Sequence, residues 1–410
     1  MKKTHPMDDF PTLLLSEDEQ RAIVAEAEAL LVETLHYERT FLNGSANLDK
    51  KKWKEINSRD NFRVYKERNP SHASTTFFTG HDDSIAFGDI LPPQFVSVRE
   101  GRALSSDWMT DCSEVEGIVA SIKDPRVPML IGTGSLEGSL EDVVFGSVGG
   151  NEVSWRLRSA YAKDKVCDAK ILATIRGPSN EAPYRFLGIK WFAIEPCPLT
   201  GKRRDFLAIE ATGTTIDRFG VLHAYHLIHE FQHPSITEKR KTARCRMSMS
   251  YISRQVSPTK VHVFARGFAA DSSSSLAQKA MNLVAAETMV ATANLVEASY
   301  AKKLGWMMAK QVLGRQKRQE NRPAPPTVCS VCHKPRSFLD SSPTPCHACG
   351  CSLCSRCTVQ RKIVVDISST PVTERQLSFC FSCVLDAKQL SPREVALETA
   401  TKRVTSFVVI

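Results

Sequence analysis

The sequence predicts an α+β protein in two parts: an antiparallel sheet packed against a long C-terminal helix, followed by a small cysteine-rich module. Three observations predict it. Apolar, strand-like runs recur between residues 186 and 268, separated by turn clusters. From Leu276 to about Lys310 the chain has no proline and one glycine, with apolar residues at steps of three and four. Four C-x-x-C pairs then crowd between Cys329 and Cys383.

The 410 residues, 42% hydrophobic and 24% charged, have the composition of a soluble globular protein of two or three domains. Lys2 and Lys3 lead into Met7-Asp8-Asp9 rather than an apolar h-region, and no apolar run approaches the roughly 20 residues that span a bilayer. A cytoplasmic protein is expected, with any membrane contact peripheral. The net charge of +9 is uneven, because nine basic residues lie between Lys302 and Arg336 against one acid, Glu320. Such a run faces anionic lipid or nucleic acid, acts as a localisation signal, or is a solvated linker with no dedicated partner; of these partners nucleic acid is the least expected. A second cluster, Lys239-Arg240-Lys241 with Arg244 and Arg246, fits a turn between strands.

The elements follow in order. Ser16 with Glu19 three residues on makes a capping box for a helix whose apolar face is Ile23, Ala27, Leu30, Leu31 and Leu35. Phe62 to Lys66 alternates as a strand, and residues 68–107 have the composition of a long insertion. GSLEGSLEDVVFGSVGG holds a short helix between glycine breaks, and Val153–Ile175 a longer, irregular helical or mixed stretch. Strands are predicted over Phe186–Ile194, Asp205–Ala211, Val221–Phe231, Cys245–Ile252 and Val261–Phe268, with turns at Pro196-Cys197-Pro198 and Thr212-Gly213-Thr214. The long helix presents Leu283, Ala286, Val290, Ala293, Val296, Tyr300, Leu304 and Met307 as one stripe. Arg315–Pro326 reads as a charged, proline-rich linker, and one further helix is possible after Ser391. The domain boundaries expected are 1–48 for the N-terminal helical segment, 49–310 for the sheet domain, 311–327 for the linker, 328–386 for the cysteine module and 387–410 for the tail.

Nine of the thirteen cysteines lie between Cys329 and Cys383, and clustering of this kind in an intracellular chain points to metal rather than disulfides. The pairs are Cys329/Cys332, Cys346/Cys349, Cys354/Cys357 and Cys380/Cys383. Each suits a turn that offers two thiolates to adjacent corners of a tetrahedron, so eight ligands imply two structural zinc ions in closed sites. A module this small lacks a sufficient core, and metal binding would supply most of its folding free energy. Cys351 is a ninth cysteine, either a spare thiol or a sign that the register is off by one pair.

The order and spacing of these pairs, above all Cys346-x-x-Cys349-Gly350 followed by Cys354-x-x-Cys357, resemble a FYVE-type zinc finger. Its cross-braced pairing would give Cys329, Cys332, Cys354 and Cys357 to one zinc and Cys346, Cys349, Cys380 and Cys383 to the other. The stretches where phosphoinositide-binding members carry cations read Ser341-Ser342-Pro343-Thr344-Pro345 and Ser378-Phe379 here. Phe338-Leu339 is a candidate apolar tip. In the shifted register a RING-like or PHD-like cross-brace is the rival.

The earlier region resembles the START lipid-binding fold. The phrases that carry this are Phe62-Arg63-Val64-Tyr65-Lys66, GSLEGSLEDVVFG, FLGIKW from Phe186, RRDFLAIEATG from Arg203, HAYHLIHE from His223 and VHVFARGFAAD from Val261. The resemblance implies a helix-grip fold, a curved antiparallel sheet around the long C-terminal helix, with a lipid-sized cavity between them. Trp191, Phe206, Tyr225 and Phe264 are the candidate lining residues.

One motif points elsewhere. His229-Glu230-Phe231-Gln232-His233 has the H-E-x-x-H form that on a helix holds zinc for a metalloprotease. Pro234 disfavours a helix at His233, no third ligand follows at a suitable spacing, and on a strand the two imidazoles stand about 13 Å apart. No Walker loop, G-x-S-x-G elbow or dinucleotide fingerprint is present. The expectation is therefore a non-enzymatic protein that binds a lipid or other apolar ligand, with a zinc module that docks on an endosomal or other anionic membrane or on a protein. The alternative is an interaction scaffold with a filled cavity and a RING-like or PHD-like module, an adaptor or divergent ubiquitin ligase.

Overall fold

The structure, a computed structural model, describes residues 12–44, 46–70, 117–194, 203–237, 242–317, 328–335, 344–367 and 372–401. Most of the 68–107 insertion, the Pro196-Cys197-Pro198 turn, Lys239-Arg240-Lys241, linker residues 318–327 and Phe338-Leu339 lie outside these.

Helix α1 (Glu17–Asn43) starts at the predicted capping box. The Ser16 hydroxyl accepts from the Glu19 amide at 3.2 Å, and the Glu19 carboxylate accepts from the Ser16 amide at 2.7 Å. Strands β1 (Trp53–Arg59) and β2 (Phe62–Glu67) form a hairpin. Helix α2 (Ile118–Ile122), β3 (Leu130–Glu137), α3 (Leu140–Ser147), α4 (Glu152–Ala162) and β4 (Val166–Arg176) follow. The irregular stretch expected over Val153–Ile175 is thus one helix and one strand. Strands β5 (Phe186–Ile194), β6 (Arg203–Ile216), β7 (Leu222–Glu230), β8 (Thr242–Arg244), β9 (Arg246–Ser257) and β10 (Lys260–Ala270) complete the sheet. Its order is β1-β2-β3-β10-β9-β7-β6-β5-β4, antiparallel throughout that path, with β8 parallel to β6.

Thr212-Gly213-Thr214 is not a turn. It lies inside β6, where Gly213 stands opposite Tyr225, and a Cβ there would meet the Tyr225 hydroxyl at 2.7 Å. The glycine is needed for the close approach of that ring. The chain turns instead at Asp217–Gly220, where Gly220 has φ +77° and the Asp217 carboxylate accepts from the amides of Phe219 and Val221.

The long helix is also not continuous. Helix α5 (Ser275–Val290) gives way to a 3-10 turn, Ala291–Asn294, before α6 (Leu295–Lys317). The tighter turn rotates one apolar face relative to the other. Leu283, expected in the stripe, is 56% exposed, while Ala280, Met281, Ala285 and Met289 are buried. Helix α6 also runs into the segment expected to be linker.

Strand alternation sorts the sheet into two faces. Ala208, Ala224, Ile228, Val263 and Ala265 pack with Val143 and Val144 of α3 and Met281, Ala285 and Met289 of α5. Leu207, Ile209, Leu227 and Ile252 pack with Ile23, Leu30 and Leu31 of α1. Residues near both sheet edges, Phe62 and Val64 on β2 and Val166 and Ile171 on β4, join the first cluster, so the sheet curves around the helices. This is the helix-grip arrangement.

The cysteine module comprises β11 (Thr344–Pro345), β12 (Ser352–Leu353), β13 (Thr358–Asp366), β14 (Thr373–Cys380) and α7 (Phe381–Gln389), and α8 (Pro392–Thr401) follows. It packs directly on α6, since Leu304 and Met308 share one apolar cluster with Leu353, Ile363, Phe379 and Ala387. Helix α8 sends Val395 and Ala396 into the core of the sheet domain.

That contact overturns part of the basic-surface expectation. Lys302 and Lys303 are buried. Lys302 Nζ donates to the carbonyls of Phe145, Gly146 and Val148, at 2.8, 3.1 and 3.2 Å, and so caps the C-terminal end of α3. Lys303 Nζ pairs with Asp142 at 2.8 Å and donates to the Leu390 carbonyl at 3.0 Å, which ties α3, α6 and the approach to α8 together. Lys310 pairs with Glu398 of α8 at 2.9 Å. Arg244 and Arg246, from the second basic cluster, are likewise paired, with Asp205 and Glu230.

Candidate functional site

Two groups of four cysteines converge, and each could hold a metal ion. In the first, the sulfurs of Cys329, Cys332, Cys354 and Cys357 all lie within 4.8 Å of one another. In the second, those of Cys346, Cys349, Cys351 and Cys380 do the same. The sulfurs of Cys332 and Cys354 are 3.9 Å apart, as are those of Cys349 and Cys380. That is far beyond the roughly 2.05 Å of a disulfide. It is close to the edge of about 3.8 Å of a tetrahedron with zinc–sulfur bonds of about 2.3 Å.

Local backbone geometry explains the convergence. After each of the first two pairs the chain enters the left-handed region, at His333 (φ 54°) and Gly350 (φ +80°). The amides of these residues close turns on the carbonyls of Cys329 and Cys346, at 2.9 and 2.7 Å. Backbone amides also point at sulfur: Cys354 N donates to Cys329 Sγ at 3.5 Å, Cys380 N to Cys346 Sγ at 3.3 Å, and Cys383 N to Cys380 Sγ at 3.3 Å. Such donors favour the thiolate that a metal needs. The donor set, all sulfur, fits a closed structural zinc site with no open position for substrate.

The four candidate lining residues do not share a face. Trp191, Tyr225 and Phe264 belong to the cluster under α1, and only Phe206 faces α3 and α5. Trp191 Nε1 donates to Asp205 at 2.7 Å, Phe264 packs against Phe41 of α1 at 5.3 Å, and Tyr225 borders a cavity of about 20 Å³ beside Val24 and Leu31. The physical reason is the period of two: odd and even positions of neighbouring strands face opposite ways, and choosing aromatic residues by size ignores that parity.

The layer between the sheet and the helices holds a feature the sequence reading missed. Glu210 on β6 accepts from Arg158 of α4 at 2.8 Å, and lies 3.0 Å from Lys190 of β5 and 3.3 Å from His226 of β7. Lys190 also donates to the Gly149 carbonyl at 2.6 Å and sits over the Trp155 ring at 4.3 Å. Burial works to raise the Glu210 carboxyl, but Lys190 and Arg158 outweigh it and hold the group well below its ordinary value. Burial pushes Lys190 down to about 8 against the pull of Glu210. Around this cluster lie Phe206 stacked on Phe192 at 5.0 Å, Trp155 edge-on to Phe192, and the side chains of Met247, Met249, Met281 and Met289. Trp155 Nε1 and Tyr184 Oη, both buried in this layer, have no hydrogen-bond partner among the described residues. The signal was present in FLGIKW and FLAIEATG, where a charged residue interrupts an apolar strand on its inward parity.

The H-E-x-x-H residues lie at the end of β7 and just beyond it, and hold no common site. His229 is buried against Ser248 at 2.8 Å and Glu26 of α1 at 3.1 Å. His233 reaches Glu19 of α1 at 3.5 Å, and Glu230 is bound by two nitrogens of Arg246 at 2.6 and 2.9 Å. Both histidines thus fasten α1 to the sheet.

No family model matches the chain, and no curated protein does. Solved structures resemble it distantly. Human StAR-related lipid transfer protein 5 is 16% identical, with 68% of this chain and 97% of that one covered and a TM-score of 0.39. Human STARD10 is 10% identical, with 77% and 93% covered and a TM-score of 0.36. A STAR-related lipid transfer protein fragment from Xanthomonas axonopodis is 12% identical, with 60% and 96% covered and a TM-score of 0.31.

Proposed function

We propose that this chain binds a lipid or another apolar ligand with a polar end between the sheet and helices α3 and α5, without catalysing a reaction. The observation that supports this most is the buried cluster of Glu210, Lys190 and Arg158, with Lys190 over the Trp155 ring, inside an otherwise apolar layer that also holds two donors unpartnered among the described residues, Trp155 Nε1 and Tyr184 Oη. Buried polar groups are nearly always satisfied, so these two donors are places for acceptor atoms of a ligand. Methionine-rich walls adapt to an incoming apolar body. Phe192, Phe206, Met281, Ala285 and Met289 occupy the layer in this form, so entry requires α5 to lift, and the 3-10 turn at Ala291–Asn294 is the break in the long helix about which it would swing. Domain limits near 49–310 and 328–386 follow from this reading.

In the same reading the cysteine module holds two structural zinc ions through Cys329, Cys332, Cys354 and Cys357, and through Cys346, Cys349, Cys380 and Cys383 as the FYVE-like order implies. It docks the protein on an anionic membrane, endosomal or other, or on a protein partner. Zinc there neutralises clustered thiolates and closes the turns. The chain's own part is to aim backbone amides at the sulfurs and to pack Phe379 and Val384 beneath them.

The filled layer and the module's packing on α6 favour a second reading, an interaction scaffold of the adaptor or ubiquitin-ligase kind. Native mass spectrometry of the protein purified from a eukaryotic lysate separates the two. Two zincs with a lipid-sized adduct support ligand binding, and two zincs with no adduct under any gentle condition, including added liposome extracts, overturn it in favour of the scaffold. Liposome flotation with and without phosphoinositide tests the docking role.

A further inference from the structure

The second cysteine centre has one sulfur too many. Cys346, Cys349 and Cys380 are common to any assignment, and two more cysteines reach them from different elements. Cys351 arrives from the hairpin between β11 and β12: its carbonyl accepts from the Cys346 amide at 2.8 Å, which holds residues 346 and 351 across a tight turn closed by Gly350. Its sulfur lies within 4.8 Å of those of Cys346, Cys349 and Cys380. Cys383 arrives from the first turn of α7, where its amide donates to Cys380 Sγ at 3.3 Å, while its sulfur stands outside the group whose members all lie within 4.8 Å of one another. The first group comprises Cys329, Cys332, Cys354 and Cys357, the four that the FYVE-like order gives it, whereas the second holds Cys351 in the place that order gives to Cys383.

Zinc in a structural site takes four ligands. We infer that Cys351 and Cys383 are alternative fourth ligands of the second zinc, with Cys346, Cys349 and Cys380 as the constant three. This rests on the zinc reading above and goes beyond it by assigning a ligand role to Cys351. Two consequences follow. Loss of either alternative leaves the other to complete a four-sulfur site, since Cys351 already lies in the group and Cys383 sits one helical turn from Cys380. A metal held at this centre would exchange more readily than at the first, since a fifth thiolate is available to replace a resident one.

The test uses the full-length chain as wild type, Cys351→Ser, Cys383→Ser, the double variant and Cys332→Ser, with bound zinc counted by native mass spectrometry. Cobalt(II) substitution reports by its sulfur charge-transfer absorption how many thiolates bind. Two zincs are expected in the wild type and in both single variants, each keeping the four-sulfur cobalt signature at both centres. One zinc is expected in the double variant, and one in Cys332→Ser, which spoils the first centre. If Cys383→Ser alone drops to one zinc, or shows a three-sulfur signature, Cys351 is not a ligand and the inference is overturned. A three-sulfur signature in Cys351→Ser overturns it from the other side. A wild type that binds fewer than two zincs contradicts the zinc reading itself, a distinct failure.

Discussion

From Trp53 to Ala270 the chain is held by apolar clusters on both faces of a sheet, whereas the module from Val328 to Gln389 has one smaller cluster and two cysteine groups. The difference is one of size. A domain of about 260 residues buries enough apolar surface to afford a fully buried charge cluster in its interior, and a module of about 60 residues does not bury enough to fold on its core alone. The large domain should therefore tolerate the loss of one contact, and the module should depend on metal held by its cysteine groups. Its apolar cluster includes Leu304 and Met308 of α6, so the module also borrows surface from the domain before it.

The largest effect should come from removing metal. Chelation with phenanthroline or EDTA, or Cys329→Ser, should release hydrogen-exchange protection across β13 and β14, because zinc binding in such modules is worth about 10–16 kcal/mol. Strands β5 to β10 should stay protected. Equal loss in both regions would break the comparison and make the protein one cooperative unit.

Next comes the charge cluster. Glu210→Gln leaves Lys190 and Arg158 buried without their anion and should cost about 3–5 kcal/mol in urea denaturation, with the loss confined to the sheet domain. A change within error would mean that water or a ligand already compensates those cations.

A pH-dependent effect is smaller over any one pH unit. Burial holds the Lys302 ammonium down to about 7, below its unfolded value near 10.5, with Arg158 adding to the depression. The unfolded chain then binds more protons between these values, so stability rises with pH from about 7 towards 10.5, by at most about 1.4 kcal/mol per unit. Lys302→Met should flatten that slope in a series of denaturation curves, and an unchanged slope would show that the three carbonyls keep the ammonium charged throughout. The smallest effect is expected at Ser16→Ala, about 1 kcal/mol, from loss of the α1 cap.

Much of the fold was legible because each strand and helix carries its own period. The sheet from Phe186 onward, the short helix in GSLEGSLEDVVFGSVGG, the capping box at Ser16 and the helix after Ser391 were all read from local pattern. What was misread depended on partners distant in sequence. Gly213 looks like a turn until Tyr225 is placed across from it, and Lys302 and Lys303 look like a solvated run until α3 and Leu390 supply their acceptors. The proposed lining residues were chosen as large aromatics, and only Phe206 lay on the face towards the helices.

The sequence by itself determined the cysteine pairs and much of the strand and helix content, since spacing along the chain is enough for both. Tertiary structure decided which face each strand shows, where the surplus cations go and that Cys351 joins Cys346, Cys349 and Cys380 at the second centre. Those outcomes depend on which acceptors and neighbours the folded chain brings within a few ångströms, and no local period encodes that.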